Sequence, residues 1–560
     1  MAISPAPLGA RSVDPDLDSV ADRRLAAGAY RDGDFRDQVL RDIYNARSRR
    51  IAPSYGFDLV LVVRHAWIAW WLEVGRQLML LAALGWWFAV RPLDTFMALD
   101  LLVIGDLLRR WLSWVLEYAG YGGSRDPTRD RPEQVRERNL SLRGKLLKRS
   151  IAGALTVLAA LLLISGVGGQ VRTSAASWAV HTTFTVAGII ITLIAILAVT
   201  AAVQAWQFTR LCAAAPHRRP RLRRRTRVID EQQRHPITVH SGFKPFLGSG
   251  RKMRSWSFAQ RLVRANPGGP GAEFDRPPFT TAKLVGRLRE VIAALHHDDN
   301  PETRLPGLRV ADCVFVEGTR TACVGDALVS EPESEVVRRA ISDAITQPSG
   351  LARHYLRAQV VAWGGEVVTT VYVHVSLQGR TLYIEFATYA LYPVRPEYGV
   401  DRPSGRHAGE IASVIGAAVA GLPTHLLEVK RLVIAPAMLL PALRAASART
   451  PKAVPYRDIG AQSSIRERAM IEPPSEFRNE SESGYFQSQD IVQHSKIIER
   501  RLIAALDDYL KEFGVDTSEF MQRTTAILNN GILNTGSGTI NAENTAVGEN
   551  SMVFAEAGNA

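Results

Sequence analysis

Three short stretches carry residue types and spacings that could do chemistry. In GFKPFLGSGRKMRSW (242–256), Gly248, Ser249 and Gly250 run straight into Arg251 and Lys252. The backbone amides of such a turn can cradle an anion, and two adjacent cations would add to the attraction. The GKS or GKT ending of a P-loop is missing. The choice is therefore between a phosphate or other anion site and a Gly turn ahead of a basic surface helix. HHDD (296–299) offers metal-ligand types, but at a helix end without partners at useful spacing. His374 and Glu385 fall on neighbouring strands, where facing residues are more often a cross-strand pair than an acid–base couple. No GxSxG, HExxH or dinucleotide-binding fingerprint is present. No catalytic or metal-binding residue is assigned, no cofactor is implied, and the chain is not expected to be an enzyme.

The elements that would position these residues form a mixed domain over 217–445. Its clearest part is a three-stranded antiparallel meander: RAQVVAW (357–363), VVTTVYVHVSL (367–377) and TLYIEFATYALYPV (381–394), separated by GGE and QGR. β-Branched and aromatic runs punctuated by Gly read as strands. Helices to cover one face are expected over Thr281–His296, Ser334–Thr346 and His407–Ala420. The run LVIAPAMLLPAL (432–443) is too short to span a bilayer, and Pro436 and Pro441 are expected to break it. Residues 446–488 are polar and read as a linker. Over Asp490–Phe513, Ile498, Leu502, Ala505 and Tyr509 follow helical spacing, which suits a short coiled coil or packing onto the α+β domain.

Composition alone hides the other half of the chain. Mean hydropathy is −0.03, yet apolar residues concentrate between about 60 and 206. Ile151–Gly169 and Thr183–Trp206 are charge-free and near the roughly 20 residues that cross a hydrocarbon core. Two earlier segments within 57–118, Trp71–Val90 and Asp94–Tyr118, form a hairpin but carry Glu73, Arg76, Asp100, Asp106, Arg109 and Arg110. Pairing one turn apart, Glu73 with Arg76 and Asp106 with Arg109 or Arg110, would lower their cost. These charges mark either an ion path or a shallow, partly interfacial hairpin. The expected architecture is thus an α-helical membrane domain of four candidate transmembrane helices (57–118 and 151–210) plus a cytoplasmic α+β domain.

Nine Lys or Arg residues lie between Ala119 and Ser150, against only Arg172 between the two strong spans. By the positive-inside rule this basic 119–150 loop, the N-terminal segment 1–56 and everything after residue 206 are expected to be cytoplasmic, in a multi-pass plasma-membrane protein. The net charge of +13 is explained by Arg flanking membrane segments, so nucleic acid is not an expected partner; the lipid bilayer is. Three cysteines (Cys212, Cys313, Cys323) show no zinc or disulfide spacing. Within 1–56, the charged helix FRDQVLRDIYNARSRR is expected to lie on the membrane surface or on the main domain.

In layout, and in YNARSRRIAPSYGFD, SGFKPFLGSGRKMRSWSFAQRLV and WGGEVVTTVYVHVSLQGRTLYIEF, residues 35–445 resemble uncharacterised multi-pass membrane proteins of actinobacteria. That resemblance implies no activity.

The end of the chain has a different character. From Ala526 it has no Lys, Arg or Pro, and Asn and Gly recur among β-branched residues. Such a low-charge segment suits a stacked cross-β layer with Asn ladders; the alternative is a plain disordered tail. GTINAENTAVGENSMV resembles the bacterial amyloid signalling sequences, similar in style to the RIP homotypic interaction motif and the HET-s prion motif, within an Asn/Gly-rich tail over 524–560. The matching residues are Gly538, Ile540, Asn541, Asn544, Ala546, Val547 and Gly548. The resemblance implies self-association and templating by a matching motif on an NLR-like receptor. The expectation is a membrane-embedded effector, of regulated cell death or phage defence, triggered through this motif. The competing expectation is a membrane-tethered binding or scaffold protein; a transporter using Glu73, Arg76, Asp100 and Asp106 is third.

Overall fold

The computed structural model describes residues 19–118, 175–212, 222–265, 273–399, 425, 426, 428, 430–447, 449–452, 457–471 and 484–529. The chain divides into two compact units, Met1–Ala66 with Ala214–Val400 and Pro441–Ala560, and Trp67–Ala213 with Asp401–Leu440.

The first unit is built on a six-stranded sheet. In chain order its strands are β1 (Ile237–His240), β2 (Arg251–Arg261), β3 (Leu308–Glu317), β4 (Ala352–Ala362), β5 (Val367–Gln378) and β6 (Thr381–Leu391). They lie in the order β1-β3-β4-β5-β6-β2. The expected meander is present as β4-β5-β6, all antiparallel. β2 pairs antiparallel to β6 and β3 to β4, while β1 runs parallel to β3. The basic segment after the Gly turn is therefore a strand and not a surface helix.

Alternation along the strands separates two faces. One carries Leu356, Ala358, Val360, Val371, Val373, Ile384 and Phe386, all buried. Two long helices cover it, α7 (Thr281–Ala294) and α10 (Tyr485–Glu512). Thr280 caps α7 by accepting from the Lys283 amide, and Leu284, Leu288 and Ile292 are fully buried from its inner side. Each such side chain contributes about 1.5–3 kcal/mol of transfer free energy. From α10, Ile498, Leu502, Ala505 and Tyr509 enter the same core, so the helical spacing there serves packing onto the α+β domain. α11 (Ser518–Asn529) follows, with Phe520 against Phe258 of β2. α8 (Glu335–Thr346), capped by Ser334, covers β1 and β3 through Val337 and Ile341.

The N-terminal segment packs on the same unit. α1 (Val20–Arg31) and α2 (Gly33–Gln38) lead into a π-helical turn, Val39–Tyr44. Arg225 of α6 (Arg224–Gln233), fully buried, donates to the carbonyls of Ile43 and Tyr44.

Residues 457–471 are not a linker. They form a strap held at both ends: the Ala461 amide bonds the Val239 carbonyl at 2.9 Å, and the Ile471 amide bonds the Pro393 carbonyl at 2.9 Å. Between them Arg466, fully buried, donates to the carbonyls of Gly365, Glu366 and Tyr392. Polar composition misled here because the strap's polar groups are spent on backbone partners distant in sequence.

The second unit is helical. α3 (Leu59–Val90) and α4 (Pro92–Tyr118) make the expected hairpin, and α5 (Ala175–Cys212) packs beside it. Leu80, Ala98, Ile189, Leu193 and Leu197 form its core. Among the described residues one helix segment, His181–Phe208, is long and apolar enough to cross a membrane. It contains the span expected at Thr183–Trp206. The span expected at Ile151–Gly169, the 119–150 loop and the helix expected at His407–Ala420 lie outside the described residues. Pro436 and Pro441 do not break their segment: α9 runs unbroken from Lys430 to Ala446. Proline removes one helical bond and crowds the preceding turn, a cost that this apolar helix absorbs.

Candidate functional site

The Gly248–Gly250 turn forms the expected anion cradle, but the chain fills it with a group of its own. The amides of Gly248 and Gly250 both donate to Oε1 of Glu467, at 2.8 and 3.0 Å. Both glycines have left-handed backbone, φ 89° and 90°. A Cβ on Gly248 would lie 2.5 Å from the Pro53 carbonyl oxygen, and one on Gly250 would run into the Ala390 carbonyl. Only glycine can present the two amides in this way. Burial pushes the Glu467 carboxyl above its usual range, against the pull of the two amides and of Lys244. Arg251 and Lys252 contribute nothing to the cradle; both are exposed on β2.

Ser249, between the two glycines, starts a chain of buried hydroxyls. Its Oγ lies 2.7 Å from the Tyr372 hydroxyl, which lies 3.3 Å from the Tyr55 hydroxyl. Nη1 of Arg357 donates to the Tyr55 hydroxyl at 2.9 Å, and its guanidinium sits 4.9 Å from the centre of the Tyr55 ring. Among the described residues no carboxylate pairs with Arg357, and its Nε is buried without a partner. The aromatic face and the hydroxyls carry that charge instead. Cys313 stands in the same cluster, walled by Phe246, Phe315 and Tyr355. Burial raises its thiol above the usual value. A thiol held protonated is a poor nucleophile, so the cluster is suited to holding charge and shape rather than to covalent chemistry.

This second face of the sheet was legible as a pattern. Leu356, Ala358 and Val360 alternate with Tyr355, Arg357 and Gln359 along β4, a sign of two buried faces of different character. The partners Tyr55 and Glu467 had no such signal, being joined to the sheet only by folding.

His374 and Glu385 stand directly opposite each other on β5 and β6. His374 Nδ1 lies 2.7 Å from the His354 carbonyl and Glu385 accepts from the Tyr355 hydroxyl at 3.2 Å. Each is engaged with a neighbour, as a cross-strand pair. Of HHDD, Asp298 accepts from the Asn300 amide, the Thr303 hydroxyl and Arg501. It closes a turn, and no cluster of metal-ligating residues occurs among the described residues.

Among known protein families, residues 255–541 match the AbeC-like domain. The chain belongs to the AbeC-like family. No curated protein and no solved structure matches the chain. The AbeC-like region takes in most of β2, the rest of the sheet beyond it, the strap, α10 and α11, and so begins and ends later than the 35–445 resemblance. It includes Cys313, Arg357, Tyr372 and Glu467. Tyr55 and Gly248–Gly250 precede it, so both ends of the hydroxyl chain rest on residues outside the AbeC-like region.

In the helical unit the charges of α3 find partners on another segment. Glu73 pairs with Arg431 of α9 at 3.0 Å and Arg76 with Glu428 at 3.0 Å. The partners shown for these two charges thus come from across the unit and not from one helical turn away. Asp100 is exposed; the side chains of Asp106, Arg109 and Arg110 lie outside the described residues. Buried Asp94 makes a polar contact of α4, accepting from the Thr185 hydroxyl at 2.7 Å. Gly538, Ile540, Asn541, Asn544, Ala546, Val547 and Gly548 also lie outside the described residues.

Proposed function

We infer that the protein is a membrane-embedded effector of regulated cell death or phage defence, switched through its C-terminal motif. The observation that carries this reading is the exterior of the helical unit. Trp86, Leu93, Phe96, Phe184, Ile191 and Val199 are each more than half exposed. Side chains of this size turned outward on α3, α4 and the charge-free stretch of α5 suit lipid and would be an aggregation liability in water. Glu73, Arg76, Glu428 and Arg431, by contrast, are paired inside the unit, as charges near a hydrocarbon layer need to be. Exposed Asp100 suits a shallow, interfacial position for that part of α4.

Membership of the AbeC-like family, an abortive-infection-type family, supports the defence setting. In this reading the protein is no enzyme. A receptor bearing a matching motif seeds stacking of residues 528–560, stacking clusters the helical units, and clustered helices perturb the plasma membrane from which the α+β domain faces the cytoplasm. Deleting residues 528–560 tests the switch. Growth arrest and dye uptake on induction should disappear while membrane-fraction levels stay the same. Undiminished arrest by the truncated chain would overturn the reading.

The scaffold reading has one observation in its favour. Arg357 lies among aromatic rings without a carboxylate partner among the described residues, as a site awaiting an anionic partner would. The hydroxyl chain from Tyr55 already compensates this charge, so the effector reading is preferred.

A further inference from the structure

β2 is the outermost strand of the sheet, and among the described residues no strand lies on its outer side. It is long for an edge, 11 residues, and its outward-facing positions Arg251, Lys252, Ser257, Ala259 and Arg261 are exposed. An edge strand presents a row of unpaired backbone donors and acceptors, and proteins ordinarily guard it with lysine and arginine. This guard is selective by sign. A second copy of β2 laid in parallel register would bring Arg251 and Lys252 against like charges, which is destabilising. A strand carrying carboxylates would meet no such barrier.

Two cations of this edge are already paired, Arg254 with Glu499 and Arg261 with Glu273, so the charge left for a partner is that of Arg251 and Lys252. Lys496 of α10 lies beside them; burial first, and then Arg254, depress its ammonium against the pull of Glu499. Arg251 and Lys252 make no ion pair among the described residues. The last described helix, α11, lies beside this edge. In α11, Arg523 donates to the Ala259 carbonyl at 3.1 Å and Phe520 packs on Phe258. Residues 530–560 follow from there. They contain Glu543, Glu549 and Glu556 and no Lys or Arg, with β-branched residues throughout. An extended segment of that length covers roughly 3.3 Å per residue, ample to run the length of β2.

We propose that, before activation, the chain's own acidic tail within residues 530–560 pairs as an added strand with the edge of β2 ahead of Ala259, whose carbonyl Arg523 already takes. The inference rests on the effector reading and deepens it. A motif engaged on β2 has its backbone groups occupied and cannot stack on another chain. A matching template would have to displace it, so the β2 edge sets the threshold for switching. Charge at Arg251 and Lys252 holds the tail in place and supplies the specificity.

Hydrogen exchange on the full chain in detergent tests this. Backbone amides of residues 251–257 should exchange at least tenfold faster when 530–560 are deleted. Arg251→Glu with Lys252→Glu should give the same acceleration in the full-length chain and shorten the lag of its self-assembly. A cysteine pair, Ser257→Cys with Thr545→Cys, should cross-link within one chain. Equal exchange with and without the tail would overturn the proposal, as would cross-links found only between chains. The two ideas fail separately. Unchanged β2 exchange in a truncated chain that no longer arrests growth would remove the docking and leave the effector reading standing. Accelerated exchange in a truncated chain that still arrests growth would do the reverse.

Discussion

Glu467 offers the sharpest perturbation of the α+β domain. Glu467→Ala removes the acceptor of two amides, Gly248 and Gly250, at 2.8 and 3.0 Å. An unsatisfied buried donor costs about 1–3 kcal/mol. Gly248 is buried and Gly250 half-buried, so water can reach one of the two, and the local loss should be about 2–4 kcal/mol. Glu467→Gln keeps an oxygen in the cradle and removes a charge that burial disfavours; its effect should stay within about 1 kcal/mol. The sign of the pH dependence follows from the raised carboxyl. The fold holds this proton more tightly than the unfolded chain does. Glu467's contribution is therefore full below the ordinary value of 4.5 and is lost as pH rises through the folded value. The Gln variant should be flat over that range.

Hydrogen exchange of a peptide covering 246–254 is the assay. A loss of about 2 kcal/mol appears as roughly 30-fold faster exchange. The Ala variant also vacates the cradle, so inorganic phosphate should slow exchange in that variant and leave the natural protein unaffected. Protection unchanged in Glu467→Ala, or phosphate acting equally on both proteins, would refute the reasoning.

Arg466→Met leaves the carbonyls of Gly365, Glu366 and Tyr392 without their donor; a loss of roughly 1–3 kcal/mol should appear as faster proteolysis between 457 and 471. His235 is pushed down to about 4 from 6.5, by burial and then by Arg50. Its neutral ring supports the fold fully above pH 6.5, and that support is lost as pH falls toward 4. The loss amounts to about 3 kcal/mol. His235→Gln should remove this part of the acid sensitivity in unfolding titrations. In the helical unit, a double-mutant cycle of Glu73→Gln and Arg431→Gln should return a coupling of about 1–3 kcal/mol in thermal unfolding in detergent; additive effects would contradict the 3.0 Å pair.

The parts of the fold that could be read from sequence are those whose pattern is local. β4, β5 and β6 alternate or run apolar between Gly turns, and α10 spaces Ile498, Leu502 and Tyr509 for one face. β2 was hidden because RKMRSWSFAQR carries the charges of an edge, and its strand character comes from pairing with β6. α9 was hidden because proline is read as a breaker, although an apolar helix can absorb it. Of the candidate site, the amide cradle was legible in Gly248 and Gly250. Its occupant was not, because Glu467 lies more than two hundred residues away on a segment that looks like linker. Arg357 sat unremarked within a strand, since only the folded sheet brings Tyr55 and Tyr372 to it.

The central claim is that lipid-seated helices are switched by the tail, and release of a trapped dye from vesicles tests it directly. The full chain is reconstituted in vesicles containing anionic phospholipid, and pre-assembled peptide of residues 528–560 is added outside, on the side bearing the α+β domain. The account expects release within the time of assembly from the full chain and none from the chain truncated at residue 527. Release of equal extent from both, or none from either with the protein correctly inserted, would contradict it.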